Sequence, residues 1–319
     1  MLSVLYALIP GIVAYVWCFG WGVAINIVLA LAVALPVEAL MLSLRGRPVW
    51  PLVTDGSAAV TAVLLAVALP PFAPWWATAV GVAFAMVVAK HLYGGLGYNP
   101  FNPAMVGYVL LLVSFPRLMT VWPAAGQPVG FFDSLWIIFS GAPAAVPIDA
   151  VTGATPLDYL KVKLGANLTI VEIRASPIFS DLGGKGWEWV SGGFLLGGLW
   201  LLYRRVITWH IPVATLGALF LLALIFAAVD PGRYASPVFH LFTGAALLGA
   251  FFIATDPVSA PTTPRGRLIF GAGVGAITYV IRTWGGYPDA VAFSVLLMNI
   301  ATPTIDHYTQ PRVFGHGKA

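Results

Sequence analysis

The chain has 319 residues, of which 60% are hydrophobic and only 9% are charged, and its mean hydropathy is +0.90. Soluble domains carry roughly a quarter charged residues, so this composition excludes an ordinary soluble protein and indicates a polytopic membrane protein. The formal net charge of +4 is small and its basic residues are dispersed, so no nucleic-acid partner is expected.

Ten apolar segments follow one another along the chain, and each is predicted to form a membrane-spanning helix. They cover residues 2–19, 22–43, 57–71, 75–92, 103–122, 188–203, 209–229, 237–255, 268–283 and 289–305. Glycine and proline separate several of them, as at Gly20-Trp21-Gly22 after the first and Pro70-Pro71 at the end of the third. The sequence therefore predicts an all-α polytopic membrane protein with about ten transmembrane helices.

A long polar segment, residues 123–187, separates the first five predicted spans from the last five. We therefore expect residues 1–122 to form a first membrane unit and residues 188–306 a second, followed by a tail at residues 307–319. The single cysteine, Cys18, excludes an internal disulfide and an iron–sulfur cluster held by four thiolates of this chain. The five histidines are scattered without ligand spacing, so no metal site is expected.

The basic residues near the span ends predict the orientation, because cytoplasmic loops carry an excess of Lys and Arg. With the amino terminus inside, the cytoplasmic group is Arg45, Arg47, Lys90, Arg204, Arg205, Arg265, Arg267, Arg312 and Lys318. The outer group is then only Arg117, Arg233 and Arg282. Both termini are therefore predicted to be cytoplasmic, and the 123–187 segment extracytoplasmic.

The two halves of the chain show a weak internal likeness. The matching features are Thr61, Leu64-Leu65, Pro70 and Lys90 in the first half, and Thr243, Leu247-Leu248, Asp256-Pro257 and Arg282 in the second. Because five spans per half is an odd number, the two copies would be inserted with opposite orientation, as in inverted-repeat transporters. Short helices at 57–71 and 237–255 would then mark a ligand site near the midplane. Alternatively, small residues such as Gly244 and Gly249 only allow close helix packing.

The most specific motif is Thr152-Gly153-Ala154-Thr155, with Asp149 three positions ahead of it. Flavin mononucleotide can be fixed to a protein by a phosphoester to a threonine hydroxyl, which needs small neighbours and a backbone that bends around the phosphate. Gly153 and Ala154 meet both needs. The alternative is a glycine-containing turn capped by hydroxyls, with Pro156 at the start of a short helix.

Four long segments resemble one membrane-subunit family, formed by the D subunits of Rnf complexes and, more distantly, the B subunits of sodium-pumping NADH:quinone reductases. The segments are KHLYGGLGYNPFNPAMVGYVLLLVSFP from Lys90, DAVTGATPLDYLK from Asp149, FIATDPVSAPTTPRGRLIFG from Phe252 and VLLMNIATPTIDHYTQPR from Val295. In that family the pattern Asp-x-x-[Ser/Thr]-Gly-Ala-Thr carries the flavin on its last threonine. The resemblance therefore implies that Thr155 bears a covalent FMN, with Asp149, Thr152, Gly153 and Ala154 completing the attachment motif.

The resemblance also implies the setting of this protein. Rnf complexes lie in the cell inner membrane, exchange electrons between ferredoxin and NAD, and couple this exchange to ion translocation. Partners would be iron–sulfur and flavin-bearing subunits, membrane lipid, and a flavin transferase that works outside the cytoplasm. The chain would relay electrons within a multi-subunit oxidoreductase and would not be catalytic alone. The family fold is similar to that of ammonium and urea channels.

Two further features leave alternatives open. A noncovalent riboflavin is associated with the related B subunits. Four aromatic residues either stack on such a ring or form interfacial belts at span ends, namely Trp75, Trp76, Tyr93 and Phe101. Glu38 lies well inside the second predicted span and is a candidate ion-pathway residue, although it can also pair within the bundle or reach the interface beside Arg45.

Two other classes of function compete with the electron carrier. One is a channel or transporter for a small solute without redox chemistry, which the channel-like fold would suit. The other is a scaffold that only docks partner subunits. A flavin covalently attached at Thr155 would separate the electron carrier from both.

Overall fold

A computed structural model describes residues 1–124, 126–141 and 151–310. The first membrane unit contains α1 (Leu2–Phe19), α2 (Gly22–Leu44), α3 (Val49–Val53), α4 (Ser57–Ala68), α5 (Trp75–Phe84), continued by a π-helical stretch Ala85–His91, and α6 (Pro103–Ser114). The intervening segment contains a 3₁₀ turn (Leu118–Thr120), β1 (Trp122–Pro123), α7 (Phe131–Ser140), β2 (Thr152–Gly153), α8 (Pro156–Gly165) and α9 (Ile170–Arg174). The second unit contains α10 (Trp187–Tyr203), α11 (His210–Val229), α12 (Pro237–Phe242), α13 (Ala246–Leu248) with a π-helical stretch Gly249–Ile253, α14 (Pro264–Trp284) and α15 (Val291–Thr309).

Each of the ten apolar segments contains helix, and the prediction of a largely helical membrane protein is confirmed. Within the described ranges, four helical stretches meet both the length and the hydropathy expected of a membrane span, namely Leu2–Phe19, Gly22–Leu44, Val49–Ala68 and His210–Val229. The ten-span count and the inverted repeat stay predictions.

Three details of the sequence prediction were wrong. The fifth span was predicted to reach residue 122, but α6 ends at Ser114 because Pro116 disfavours helical backbone at Phe115. The 237–255 segment is one broken helix, interrupted around Gly244, whose φ of 61° lies in the left-handed region. The 123–187 segment is not polar throughout, since it contains the apolar helix α7.

Helices from the two membrane units pack against each other in the middle of the protein. Helix α1 runs along α10, and α6 contacts α15. A shared hydrophobic core draws buried side chains from both units, including Leu8, Leu65 and Phe270. The central space is therefore bounded by elements from both halves of the chain.

The segment between the units forms a small layer of its own. Helices α8 and α9 share a core in which Leu157, Leu160 and Ile173 pack with Phe179 and Phe239. Because Phe239 belongs to α12, this layer is fixed to the broken helix of the second unit. Strands β1 and β2 pair antiparallel, with Trp122 opposite Gly153 and Pro123 opposite Thr152.

The contact between α1 and α10 depends on glycine. A Cβ added at Gly197 would overlap the carbonyl oxygen of Ala7, whereas a Cβ at Gly192 on the same helix would meet nothing within 4 Å. Gly197→Ala is therefore expected to force the helices apart and to cost about 1–3 kcal/mol of stability. The measurement is the thermal unfolding midpoint of the purified protein in detergent.

Gly192→Ala is the matched control, because the two variants make the same chemical change on one helix. It should leave the midpoint unchanged or raise it slightly, since alanine is the better helix former. Equal midpoints for the two variants would contradict the close α1–α10 contact.

Candidate functional site

The threonine motif lies where β2 passes into α8. Thr152 and Gly153 form β2, Ala154 is exposed, and Thr155 is the N-cap of α8. A Cβ at Gly153 would lie 3.6 Å from its nearest neighbour, so there is little bulk beside the motif. Asp149, the first residue of the motif, lies outside the described residues.

The Thr155 hydroxyl faces the amino-terminal end of α8. Its Oγ1 accepts a hydrogen bond of 3.2 Å from the Asp158 amide, and Pro156 occupies the first helical position. This agrees with the alternative interpretation of the motif as a capped helix start. The same geometry also suits a phosphate, because the free amides and dipole at a helix amino terminus favour an anion.

A cavity of about 330 Å³ opens beside Thr155. Its walls come from both membrane units and from the intervening segment, so folding of the whole chain is needed to form it. The lining includes Tyr15, Met105, Tyr108, Trp122, Thr155, Leu157, Trp187, Ser191, Phe194, Asp289 and Phe293. Mostly apolar walls with a few polar groups are typical of sites for small molecules and cofactors.

One wall of this cavity is aromatic. The ring centroids of Trp122 and Trp187 lie 5.3 Å apart, and those of Trp187 and Tyr15 lie 5.9 Å apart. Trp122 belongs to β1, which pairs with β2, so this strand pair positions both the aromatic wall and the threonine motif. The Trp122 indole is itself fixed, because its Nε1 donates to the Met119 carbonyl at 3.0 Å.

The Tyr15 side chain leaves a hydroxyl unsatisfied at this cavity. Tyr15 is buried, and its hydroxyl has no hydrogen-bond partner among the described residues. A buried polar group without a partner is costly and is usually satisfied by something bound. The hydroxyl therefore fits a ligand that carries a hydrogen-bond acceptor.

The break between α12 and α13 borders the same cavity and is held by an ion pair between a buried arginine and a partly exposed aspartate. Arg282 on α14 donates from Nε to Asp289 Oδ1 at 3.1 Å, and its NH groups also donate to the carbonyls of His240 and Thr243. Asp289 Oδ2 in turn accepts from the Ala245 amide at 2.6 Å. Backbone groups that the break leaves without helical partners are therefore satisfied.

Lys161 fastens α8 to the end of α14. Its ammonium donates to the carbonyls of Ile281, Arg282 and Tyr287 at 3.2, 3.2 and 2.9 Å. Burial lowers the pKa of Lys161, and the nearby Asp158 carboxylate opposes that shift. Thr155, two turns earlier, is thereby fixed relative to the cavity.

Glu38 lies in a separate, fully paired cluster. Its carboxylate accepts from Lys90 Nζ at 2.9 Å and contacts His91 Nε2 at 2.8 Å, and Lys90 also donates to Ser57 Oγ. Of the alternatives for Glu38, the structure favours pairing within the bundle. Arg45 does not reach it and instead contacts His91 Nδ1 at 3.4 Å.

A second cavity, of about 240 Å³, borders this cluster. Ser57, Lys90, Asn99, Asn102 and Asp256 give it a polar rim. In the sequence the asparagines mark an Asn-Pro-Phe-Asn-Pro interruption, and they have further roles in the fold. The Asn102 backbone amide, for instance, donates to Asn299 Oδ1 at 3.1 Å.

Some residues of the first cavity could not be found from the sequence. Tyr15, Trp187 and Asp289 come from distant elements, and no local pattern distinguishes them from packing residues.

Four aromatic residues considered for flavin stacking line neither cavity, namely Trp75, Trp76, Tyr93 and Phe101. Among the described residues, no group of three His, Cys, Asp or Glu side chains could hold a metal ion.

Comparison with known proteins places the chain among membrane subunits. Residues 1–315 match the NQR2, RnfD, RnfE family. The chain is 55% identical to the D subunit of the ion-translocating oxidoreductase complex of Alcanivorax borkumensis, over 99% of the chain and 92% of the relative. It is 54% identical to the corresponding D subunit of Aeromonas hydrophila over 99% and 93%, and 52% identical to that of Aliivibrio salmonicida over 100% and 94%.

The Glu38 cluster generates a stability prediction. Lys90→Met would leave the Glu38 carboxylate buried without its ammonium partner, which is expected to cost on the order of 3–5 kcal/mol. The double variant Glu38→Gln, Lys90→Met removes both charges and should recover most of that loss. Thermal unfolding of the purified variants measures both effects. A double variant no more stable than Lys90→Met would contradict a mainly electrostatic coupling.

Proposed function

The chain belongs to the NQR2, RnfD, RnfE family, and on that basis we propose that it is a membrane subunit of an ion-translocating oxidoreductase complex. The specific assignment is to the D subunit of an Rnf-type complex, which exchanges electrons between ferredoxin and NAD. Its identity of 52–55% over nearly full length to proteins named as D subunits supports this assignment. The chain would act with iron–sulfur and flavin-bearing partner subunits and would not be catalytic alone.

We further propose that Thr155 carries a covalent FMN. One observation carries this proposal: the last threonine of the attachment motif lies at a helix amino terminus and at the rim of a cavity with an aromatic wall. The helix terminus supplies amides for the phosphate. The apolar and aromatic walls of the cavity would contact the flavin ring, and the Tyr15 hydroxyl would donate a hydrogen bond to it.

A bound flavin would supply the exchange of electrons, in pairs or singly, and the protein would set its position. Thr155 tethers the group, and Trp122 and Trp187 exclude water from the aromatic side of the cavity. Lys161 and the β1–β2 strand pair keep the tether at a fixed place. The exposed Ala154 leaves the motif accessible to a flavin transferase.

A noncovalent riboflavin is proposed for the second cavity. The side-chain amides of Asn99 and Asn102 each donate once within the protein, and Ser57 Oγ accepts from a lysine. The second N–H of each amide and the Ser57 O–H are the donors that match acceptors at the polar edge of a flavin ring. Its apolar walls, which include Phe251 and Phe252, suit the remainder of the ring. This cavity borders the Glu38 cluster, which stays a candidate for the ion pathway.

The proposed orientation keeps both termini cytoplasmic and residues 123–187 periplasmic, in a multi-pass protein of the cell inner membrane. Lys90 and Arg282 drop out of the count of basic loop residues, because both are buried and ion-paired within helical stretches. Removing one from each side leaves eight basic residues inside (9 − 1) and two outside (3 − 1). The charge bias therefore still supports this orientation.

Covalent attachment is tested by Thr155→Val with Thr169→Val as the matched control. Both threonines are N-caps that accept a hydrogen bond from the amide three residues on, so each change should cost about 1 kcal/mol of stability. Only Thr155→Val should abolish flavin fluorescence in the denatured protein band, after expression with the flavin transferase. A bright Thr155→Val band, or a dark wild-type band, would contradict the assignment.

Contact between Tyr15 and the flavin ring is tested by Tyr15→Phe. Flavin attachment should be retained, because Tyr15 is not part of the motif. The midpoint potential of the bound flavin should fall, because a hydrogen bond to a ring acceptor is stronger when the ring carries more negative charge. A hydrogen bond to a charged group is worth about 1 kcal/mol more than one to a neutral group, and a difference of about 1 kcal/mol corresponds to roughly 20 mV for a two-electron couple. Spectroelectrochemical titration measures this shift, and an unchanged potential would contradict contact between Tyr15 and the ring.

A further inference from the structure

Helix α7 has an exposed aromatic face that the proposed function does not use. Phe132 is 81% exposed, Trp136 56% and Phe139 53%. On the opposite face Ser134, Ile137 and Ile138 are buried, and Ile137 packs with Phe72 and Val129. The helix is therefore fixed to the protein by one side and presents large apolar side chains on the other.

The position of α7 is defined by tryptophans at the ends of two membrane helices. Trp21, just before α2, lies edge to face with Phe131 at 5.9 Å between ring centroids. Trp75, the first residue of α5, stacks on Phe139 at 6.5 Å. Tryptophan is enriched at the membrane–water interface, so these two residues mark the level of that interface.

The exposed face of α7 is also continuous with surface that lipid must cover. Trp21 is 48% exposed and Trp75 44%, so their open sides adjoin the aromatic face of α7. The ten residues of α7 include one charged side chain, Asp133, in the first turn. An apolar face this large, next to lipid-facing helices, fits the boundary between headgroups and acyl chains.

We propose that α7 lies in the outer membrane interface and that its aromatic face is covered by lipid. In the sequence α7 stands between β1 and β2, the strand pair that positions Thr155. Insertion of Phe132, Trp136 and Phe139 therefore anchors this strand pair and fixes the depth of Thr155 relative to the bilayer. This inference goes beyond the proposed function, since it holds whether or not Thr155 is modified.

The single cysteine of the chain makes this proposal directly testable. In a Cys18→Ala background, Trp136→Cys is labelled with a small fluorophore, and the whole complex is reconstituted into phosphatidylcholine vesicles. Lipids carrying a doxyl group near the headgroup should quench this label, and aqueous iodide should not. Val162→Cys on α8, a residue that is 62% exposed, is the matched control and should show the reverse pattern.

Phe132→Cys, on the same face, repeats the measurement in case one variant fails to assemble. Quenching of both labels by iodide would show a water-exposed face and overturn the proposal. Labels quenched by neither agent in the complex, but by doxyl lipid in the isolated chain, would show that a partner protein covers α7. That outcome would also overturn it. Neither outcome bears on the Thr155 assignment, which the denatured-band fluorescence tests separately.

Discussion

The ion pair between buried Arg282 and partly exposed Asp289 makes a break in a helix possible inside the bundle. In a membrane every backbone amide and carbonyl must find a partner within the protein, so irregular backbone is tolerated only where side chains satisfy it. Arg282 donates to the carbonyls of His240 and Thr243, and Asp289 accepts from the Ala245 amide. The left-handed backbone at Gly244 is held by these bonds. Without them, the cavity would lose one of its walls.

The remaining parts of the site are built outward from this point. Lys161 reaches the end of the helix that carries Arg282, so α8 is fixed to the same support. The pairing of β1 with β2 then brings Trp122 over the cavity and Thr155 to its rim. Polar contacts thus place a threonine from outside the membrane units against a space formed within them. Such an arrangement suits a tethered cofactor whose ring must be shielded from water.

Local sequence patterns located the helices, since apolar runs mark the segments from 2–19 to 289–305. The attachment motif around Thr155 stays a prediction that rests on its residues and on the family resemblance. The cavity could not be predicted, since Tyr15, Trp187 and Asp289 meet only through long-range packing. Helix α7 was missed because its ten residues are too few to span a membrane. The partner of Glu38 could not be predicted, because Lys90 lies on the stretch that continues α5. Contacts of this kind leave no periodic signal in the sequence.

The central claim is that the Thr155 hydroxyl forms a phosphoester with FMN. The most direct measurement is mass spectrometry of the peptide that contains Thr155, prepared from the complex isolated from its native membrane. The account predicts a peptide heavier by one FMN less one water, with fragment ions that place the addition on Thr155. An unmodified peptide, or an addition on Thr152, would contradict it.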